Sequence, residues 1–286
     1  MEIIQSPEAI HAWARTRALA GKTIGLVPTM GFFHEGHLSL MRRASELCDL
    51  VVVSLFVNPT QFGPNEDLDR YPRDFERDMD LVRQEQVAAV FAPTPALMYP
   101  QGFQTQVAVS NLATHLCGRS RPGHFAGVTT VVAKLFNIVQ PAVAVFGQKD
   151  FQQLAIIRRM VSDLNIPVRI VSHPIVREAD GLAMSSRNTN LNPANRAAAL
   201  SLSTALQLAR ERVSQGTDSV AELTALLTAH IHSFKGTAID YVSFVDFETL
   251  EPMARANERT VLALAVRIDD RVRLIDNGFV VPQAGE

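Results

Sequence analysis

The chain has 286 residues, of which 47% are hydrophobic and 20% charged, so it is too apolar to be a disordered protein. A net charge of −2 gives no electrostatic reason to expect a nucleic-acid partner or a membrane surface. Two cysteines are too few for a disulfide scaffold, and no apolar stretch approaches the ~20 residues of a membrane helix. We therefore expect a cytoplasmic protein with one large or two smaller domains.

In the first part of the chain, short β-branched runs alternate with stretches of helical periodicity. The predicted strands cover residues 23–27, 50–56, 87–91, 142–146 and 168–171, and the predicted helices cover 38–48, 71–84, 129–139 and 151–165. This alternation is typical of an α/β protein with a parallel sheet and helices on both faces. We predict a Rossmann-like doubly wound parallel sheet in residues 1–175, with ligands beyond the carboxyl ends of its strands.

The pattern changes after about residue 175. Two helices are predicted at 194–214 and 218–232, and strands follow at 238–247, 260–268 and 271–275. A helical pair followed by strands predicts a smaller C-terminal α+β domain, residues 176–286, rather than continued βα alternation.

The segment after the first predicted strand carries a pair of histidines. Pro28 and Gly31 are expected to end the strand and a helix is expected from Leu38, so His34 and His37 lie at a helix N-terminus. Backbone N–H groups and the helix dipole favour anions there, and residues three apart share one side of the helix. Three interpretations stay open: a zinc site, which needs histidines four apart; two structural histidines; and a phosphate site.

Two later segments offer groups of the same kind. In 147–150, Gly147 permits a tight turn, Lys149 could meet phosphates, and Asp150 could cap the next helix. Lys149 is one of only four lysines in the chain, although it could also be a solvated turn lysine. In 181–188, two adjacent serines and an arginine could donate hydrogen bonds to phosphate oxygens, or could simply form a loop before a helix.

Taken together, these motifs resemble known ones. Residues 34–37 match the His-x-Gly-His signature of a nucleotidyltransferase superfamily, and the segment 181–188 resembles the Lys-Met-Ser-Lys-Ser loop that accompanies it. More specific segments are 28–40, 56–68 with 71–73, 121–128, 146–153, 177–188, 239–242 and 273–277. On these residues the chain resembles the pantothenate synthetase (pantoate–β-alanine ligase) family over nearly its whole length.

The resemblance implies an ATP-dependent ligase. In that family the pantoate carboxylate attacks the α-phosphorus of ATP, pyrophosphate leaves, and β-alanine then displaces AMP from the pantoyl adenylate to give pantothenate. Mg²⁺ on the ATP phosphates is implied, as are a homodimer formed through the first domain and a partial lid formed by the second. The alternative is an adenylyltransferase of the same superfamily acting on another small acid. A nucleotide-binding module without catalysis is a third hypothesis, against which the intact His34, His37 and Lys149 argue.

The resemblance also implies residue roles. The catalytic residues are His34 and His37, which stabilise the α-phosphate, and Lys149, which binds the phosphates; the position of His37 is the family's proton donor. The implied ATP-binding residues are Met30, Gly31, His34, His37, Gly147, Gln148, Lys149, Asp150, Val176, Met184, Ser185, Ser186 and Arg187. Gln61 and Gln153 match the pantoate-binding glutamines, and Gln61 also lies near β-alanine. No metal ligand is identified.

Four further residues belong to the family motifs, and one of them, His124, could instead be a structural turn histidine; the four are Asn58, Tyr71, Arg121 and His124. The chain also departs from the family twice. It has Gly31-Phe32-Phe33-His34 where Gly-Ala-Leu-His is usual, which is expected to place aromatic bulk beside the nucleotide loop. It has Gln148 where glutamate is usual, which removes a carboxylate next to Lys149.

Overall fold

The protein folds into two compact units. The computed structural model describes residues 1–64, 66 and 68–281. The first unit comprises Met1–Gln148 and Gln152–Pro174, and the second comprises Lys149–Phe151 and the chain from Ile175 onward.

The first unit is built on a parallel sheet. Its strands in the described residues are β1 (Glu2–Ile4), β2 (Ile24–Thr29), β3 (Leu50–Leu55), β4 (Ala89–Phe91), β5 (Val143–Gly147) and β6 (Arg169–His173). They lie in the order β1-β4-β3-β2-β5-β6, and all neighbours are parallel. The five predicted strands agree with β2 to β6 to within two residues at each end, whereas β1 was not predicted. The chain reverses its direction of winding at β2, so the crevice between β2 and β5 is where ligands of such sheets gather.

Helices cover both faces of this sheet. They are α1 (Pro7–Leu19), α2 (Glu35–Leu47), α3 (Phe75–Arg83), α4 (Pro95–Met98), α5 (Leu116–Ser120), α6 (His124–Val139) and α7 (Phe151–Asp163). Successive strand residues enter opposite cores: Leu26 packs with α1, α6 and α7, and Val27 packs with α2 and α3. The predicted Rossmann-like sheet is confirmed.

Several element boundaries differ from the prediction, and the helix predicted at 129–139 begins already at His124. Pro28 does not end β2, because it stays in register with Ser54 of β3. β2 pairs with β5 through Gly25 and Leu26, so Pro28, which has no backbone N–H, lies beyond the hydrogen bonds of that pairing. The helix predicted at 71–84 begins only at Phe75, because the Asp74 side chain caps it by accepting from the Arg77 backbone.

The second unit is the predicted α+β arrangement. Helices α8 (Arg196–Ser214) and α9 (Val220–His232) precede the strands β7 (Thr237–Asp246), β8 (Thr260–Ile268) and β9 (Val272–Phe279). The strands form an antiparallel sheet in chain order, and the helices pack on it through a core that includes Leu206, Leu227 and Leu264. In the part of the chain that the structure describes, no helix combines the length and apolarity needed to cross a membrane.

Candidate active site

The loop after β2 brings the two predicted histidines together. Gly31 and Phe32 turn the chain with φ values of 82° and 52°, and α2 begins directly after His34. The rings of His34 and His37 lie with their centroids 4.1 Å apart and their planes inclined by 35°. The prediction that both histidines lie on one side of the first helical turn is therefore confirmed, at the carboxyl end of β2.

Hydrogen bonding indicates which nitrogen of His37 carries the proton. The backbone N–H of His34 donates to Nδ1 of His37 over 3.4 Å, so Nδ1 acts as an acceptor. In a neutral imidazole the proton then resides on Nε2. In that tautomer, His37 can donate a hydrogen bond from Nε2.

The two unusual aromatic residues of this loop have different environments. Phe33 is fully buried in the core beneath α2 and meets His37 edge-on, with centroids 5.6 Å apart. Phe32 is half-buried and lies 5.2 Å from the guanidinium of Arg77. The Phe33 ring therefore adds aromatic bulk beside His37 from the core side, whereas Phe32 adds it on the half-buried side of the loop.

Phe32 also lines a cavity of about 330 Å³ at the carboxyl ends of β1 to β4. Of the predicted site residues, this cavity includes Met30 and Gly31. Its other walls are mainly apolar, from Leu55, Phe56, Val57, Phe75, Ala92, Pro93 and Pro95, with the polar residues Gln5, Arg73, Asp74 and Asp78.

Asp78 of α3 is a site residue that sequence reasoning missed. Its carboxylate accepts hydrogen bonds from the backbone N–H groups of Phe32 and Phe33, each at 2.7 Å. Burial raises the pKa of Asp78, and the two backbone hydrogen bonds and the nearby Arg77 only partly oppose this effect. The sequence did carry a signal for Asp78: this acidic residue lies next to Met79 and one helical turn before Val82, on the apolar side of α3 that is buried.

Gln61 lies beside Met30, which is consistent with one site that contains both predicted residues. It ends a short 3-10 helix after β3, and its Nε2 donates to the Met30 sulfur at 3.2 Å. The buried Asn58 donates from Nδ2 to Gln61 Oε1 and to the Gly127 carbonyl, both at 3.1 Å. Tyr99, which was not predicted, donates from its hydroxyl to Asn58 Oδ1 at 2.7 Å. Asn58 therefore fixes the side-chain amide of Gln61.

His124 and Arg121 support the same residue from its backbone. Arg121 Nη1 contacts His124 Nε2 at 3.0 Å, and His124 Nδ1 contacts the Gln61 carbonyl at 2.7 Å. Because a guanidinium only donates and a carbonyl only accepts, neutral His124 carries its proton on Nδ1. Arg121 also binds Glu66, and that hydrogen bond is the main cause of a lowered Glu66 pKa. Two residues of this motif, Asn65 and Asp67, lie outside the described residues.

The segment after β5 begins at the same edge of the sheet as the histidine loop, because β5 lies parallel to β2 and next to it. Gly147 is the last residue of β5 and does not adopt a left-handed conformation, so its predicted role as a turn glycine was wrong. A Cβ at Gly147 would meet nothing within 4 Å, which leaves room for a ligand to approach. Gln152 is buried and binds the Cys117 amide and the Leu112 and His115 carbonyls, whereas Gln153 is half-buried on the first turn of α7.

The second unit contains the remaining predicted residues. Met184 donates its backbone N–H to the Val176 carbonyl at 2.9 Å, so these two residues are adjacent. Ser185 caps the short 3-10 helix Ser186–Asn190 by accepting from the Arg187 backbone. The predicted serine–arginine segment therefore forms a helical turn, of which Ser186 is buried.

Two neighbouring residues of β9 form hydrogen bonds with distant segments of this unit. Asn277 donates from Nδ2 to the Lys149 carbonyl at 2.8 Å. Asp276 accepts from both terminal nitrogens of Arg177, at 2.7 and 2.9 Å. The sequence placed both residues in a motif, but no local pattern indicated their partners.

Comparison with known proteins agrees with this geometry. A family model described as pantoate-beta-alanine ligase matches residues 2–279. The chain is 57% identical to the pantothenate synthetase of Heliobacterium modesticaldum, over 98% of this chain and 99% of that one. It is 56% identical to that of Geobacter sulfurreducens, over 97% and 98%. The chain belongs to the pantoate–β-alanine ligase family.

Solved structures extend the comparison to the fold. The crystal structure of pantothenate synthetase from Thermus thermophilus aligns with a TM-score of 0.93 and 45% identity, over 99% of this chain and 100% of that one. A pantoate-beta-alanine ligase from Francisella tularensis, complexed with beta-gamma ATP and beta-alanine, aligns with a TM-score of 0.79 and 33% identity, over 98% of each chain. The predicted family, fold class and ligase activity, the condensation of pantoate with β-alanine, are confirmed.

Proposed function

We propose that the enzyme activates pantoate with ATP through a pantoyl adenylate. A carboxylate oxygen of pantoate attacks the α-phosphorus, and the bond to the pyrophosphate oxygen breaks. The β-alanine amine then attacks the acyl carbon, AMP leaves, and the amine loses a proton. The observation that carries this proposal is the close pair His34–His37 at the N-terminus of α2, at the carboxyl end of β2. Such a terminus favours a phosphate through its N–H groups and dipole.

In this proposal, charge stabilisation is the main contribution of the histidines. His37 donates from Nε2 to the α-phosphate as negative charge develops there, and His34 assists it. Lys149 binds the phosphates as a point charge. The other ATP-binding residues of the proposal are Met30, Gly31, Gly147, Gln148, Asp150, Val176, Met184, Ser185, Ser186 and Arg187.

We assign pantoate to Gln61 and Gln153, and β-alanine to Gln61. Amide side chains both donate and accept, so they can bind hydroxyl and carboxylate groups without adding a fixed charge. The hydrogen bond from Asn58 to Gln61 Oε1 supports this assignment, because it orients the amide before a substrate binds.

Mg²⁺ enters the proposal with ATP. Among residues 1–64, 66 and 68–281, no group of three or more His, Cys, Asp or Glu side chains could hold a metal ion. The described residues therefore do not form a protein cage for Mg²⁺. We propose that the ion is bound largely by phosphate oxygens and water and neutralises phosphate charge.

Two further proposals rest on the family resemblance. We propose that the enzyme is a cytoplasmic homodimer with small-molecule partners only, and that the second unit acts as a partial lid. Sedimentation equilibrium would test the dimer, since a monomer mass at micromolar concentration would contradict it.

An exchange assay tests the proposed chemistry. With pantoate present and β-alanine absent, the enzyme is expected to exchange labelled pyrophosphate into ATP, and added β-alanine is expected to release AMP. No pantoate-dependent exchange would overturn the adenylate route. Exchange without amine-dependent AMP release would favour an adenylyltransferase.

A further inference from the structure

Asp78 places both oxygens of a buried carboxylate on two successive amides of one turn. Oδ2 accepts from the Phe32 N–H and Oδ1 from the Phe33 N–H, both at 2.7 Å. The side chain is 2% exposed, and its other charged contact is Arg77 Nη1, 3.8 Å from Oδ1. Carboxylates this deeply buried are costly unless they are hydrogen-bonded, so these two bonds are what holds the ionised group in place.

The turn that Asp78 binds has an uncommon backbone conformation. Gly31 and Phe32 are both left-handed, and such a φ value is unusual for phenylalanine. A Cβ on Gly31 would lie 2.9 Å from Asp78 Oδ2, so the carboxylate packs directly against the backbone. The turn is therefore held from outside, by a residue of α3 that is 46 positions away from Phe32.

The next residues after this turn are the ones that carry chemistry. His34 follows Phe33 directly. The backbone N–H of His34 donates a hydrogen bond to Nδ1 of His37. A displacement of the turn would therefore move both imidazoles. Misplacement of a catalytic group by about 1 Å can lower a rate about 10²-fold.

We propose that Asp78 is a positioning residue for catalysis, which sets the place of His34 and His37 through the Phe32 and Phe33 amides. This inference rests on the proposed function, in which the two histidines stabilise the α-phosphate. Asp78 of α3 would then affect the reaction rate through the histidines, without itself contacting the reacting atoms.

The decisive variant is Asp78→Asn, measured by pantoate-dependent pyrophosphate exchange. The amide retains one acceptor oxygen, but its NH2 group faces the second backbone N–H. We expect kcat for exchange to fall about 10- to 100-fold, with KM for pantoate within about twofold of the wild type. Circular dichroism and a melting curve establish the folded fraction, so that rates refer to folded enzyme.

Asp49→Asn is the matched control. The Asp49 carboxylate also binds a backbone amide, that of Thr23 at 2.8 Å, but at the opposite end of β2. We expect exchange by this variant to stay within about twofold of the wild type. Equal loss of kcat in both variants would overturn the proposal, because it would show a general effect on the sheet.

Gly31→Ala approaches the same contact from its other side and keeps the proposal testable if Asp78→Asn does not fold. Its Cβ pushes against Oδ2 and strains the left-handed turn, so a loss of kcat in the same range is expected, with less than additive losses in the double variant. Wild-type kcat in folded Asp78→Asn, or in Gly31→Ala where the first variant is unfolded, overturns the proposal. Absence of exchange in the wild type instead contradicts the proposed function.

Discussion

The two ends of strand β2 are each bound by a carboxylate from another part of the chain. At the amino end, Asp49 binds the Thr23 amide and hydroxyl and pairs with Lys22. Beyond the carboxyl end, Asp78 binds the Phe32 and Phe33 amides. Asp49 is 39% exposed and its pKa is lowered to about 2, mainly by the Thr23 amide, whereas burial raises the pKa of Asp78.

The two shifts have different main causes: hydrogen bonds lower the pKa of Asp49, whereas burial outweighs the two backbone hydrogen bonds to Asp78 and raises its pKa. Asp49 accepts from the Thr23 amide, the Thr23 hydroxyl and Lys22, whereas Asp78 accepts from two backbone amides and is withdrawn from water. A poorly hydrated environment strengthens electrostatic interactions, which is useful where phosphate charge must be stabilised. The end of β2 that precedes the histidines is the one with this environment.

The largest expected effect on the exchange rate comes from the histidines beyond the carboxyl end of β2. We expect His37→Ala to lower pantoate-dependent pyrophosphate exchange about 10²- to 10³-fold, because it removes the hydrogen-bond donor that we propose for the developing negative charge. His11→Ala is the control, since His11 of α1 contacts only the Ile138 carbonyl among the hydrogen bonds described for it. Similar rates for His37→Ala and His11→Ala would contradict the assigned role.

Lysine gives a second contrast. Lys149→Ala is expected to slow exchange by tens-fold or more, because it removes the charge that we propose to bind the phosphates. Lys22→Ala removes only an exposed partner of Asp49 and is expected to leave exchange unchanged. Steady-state exchange rates of the two variants at saturating ATP provide the measurement, and equal rates would refute the phosphate role of Lys149.

Close packing near the carboxyl end of β3 predicts a stability effect. A Cβ on Gly127 would lie 2.4 Å from the Thr60 carbonyl oxygen and 2.7 Å from the Gln61 nitrogen. We expect Gly127→Ala to reduce the free energy of unfolding by about 1–3 kcal/mol and to raise KM for pantoate. Gly147→Ala, where a Cβ meets open space, is the control for stability in urea denaturation. Unfolding midpoints that do not differ between the two variants would contradict this packing.

The smallest expected effect is on the pH dependence of stability, with opposite signs at the two ends. The lowered pKa of Asp49 means that its stabilisation is present above about pH 4 and is lost as the pH falls toward about 2. The raised pKa of Asp78 means that its contribution declines as the pH rises above its ordinary value of 3.8.

Urea midpoints of Asp49→Asn and Asp78→Asn, each compared with the wild type, measure these contributions. The difference from the wild type should grow with rising pH for Asp49→Asn, between about pH 2 and 4. For Asp78→Asn it should shift in the opposite direction above about pH 4. Parallel pH dependence in the two variants would contradict the contrast.

The parallel sheet was predictable because its central strands are nearly continuous apolar runs, such as Leu50–Leu55. The edge strand Glu2–Ile4 was not, because it has three residues and is mostly exposed. Helix α1 buries only Ile10, Trp13 and Ala14, too few to form a clear apolar periodicity.

The sequence predicted only those parts of the candidate site whose residues are close together in the chain. The spacing of His34 and His37 was sufficient to place their rings side by side. Asp78 reaches its turn, and Asn277 reaches Lys149, across 46 and 128 positions of sequence. Local patterns carry no information on such contacts, because the fold alone creates them.

The hydrogen bond between Asn277 and Lys149 has a consequence for synthesis of the enzyme. Chains emerge from the ribosome N-terminus first, so residue 149 is made 128 residues before its partner. During that interval the Lys149 carbonyl lacks the amide that holds it in the finished protein. A nascent chain that already contains both histidines therefore still lacks this contact, and the backbone of Lys149 acquires it only once β9 has joined the second sheet.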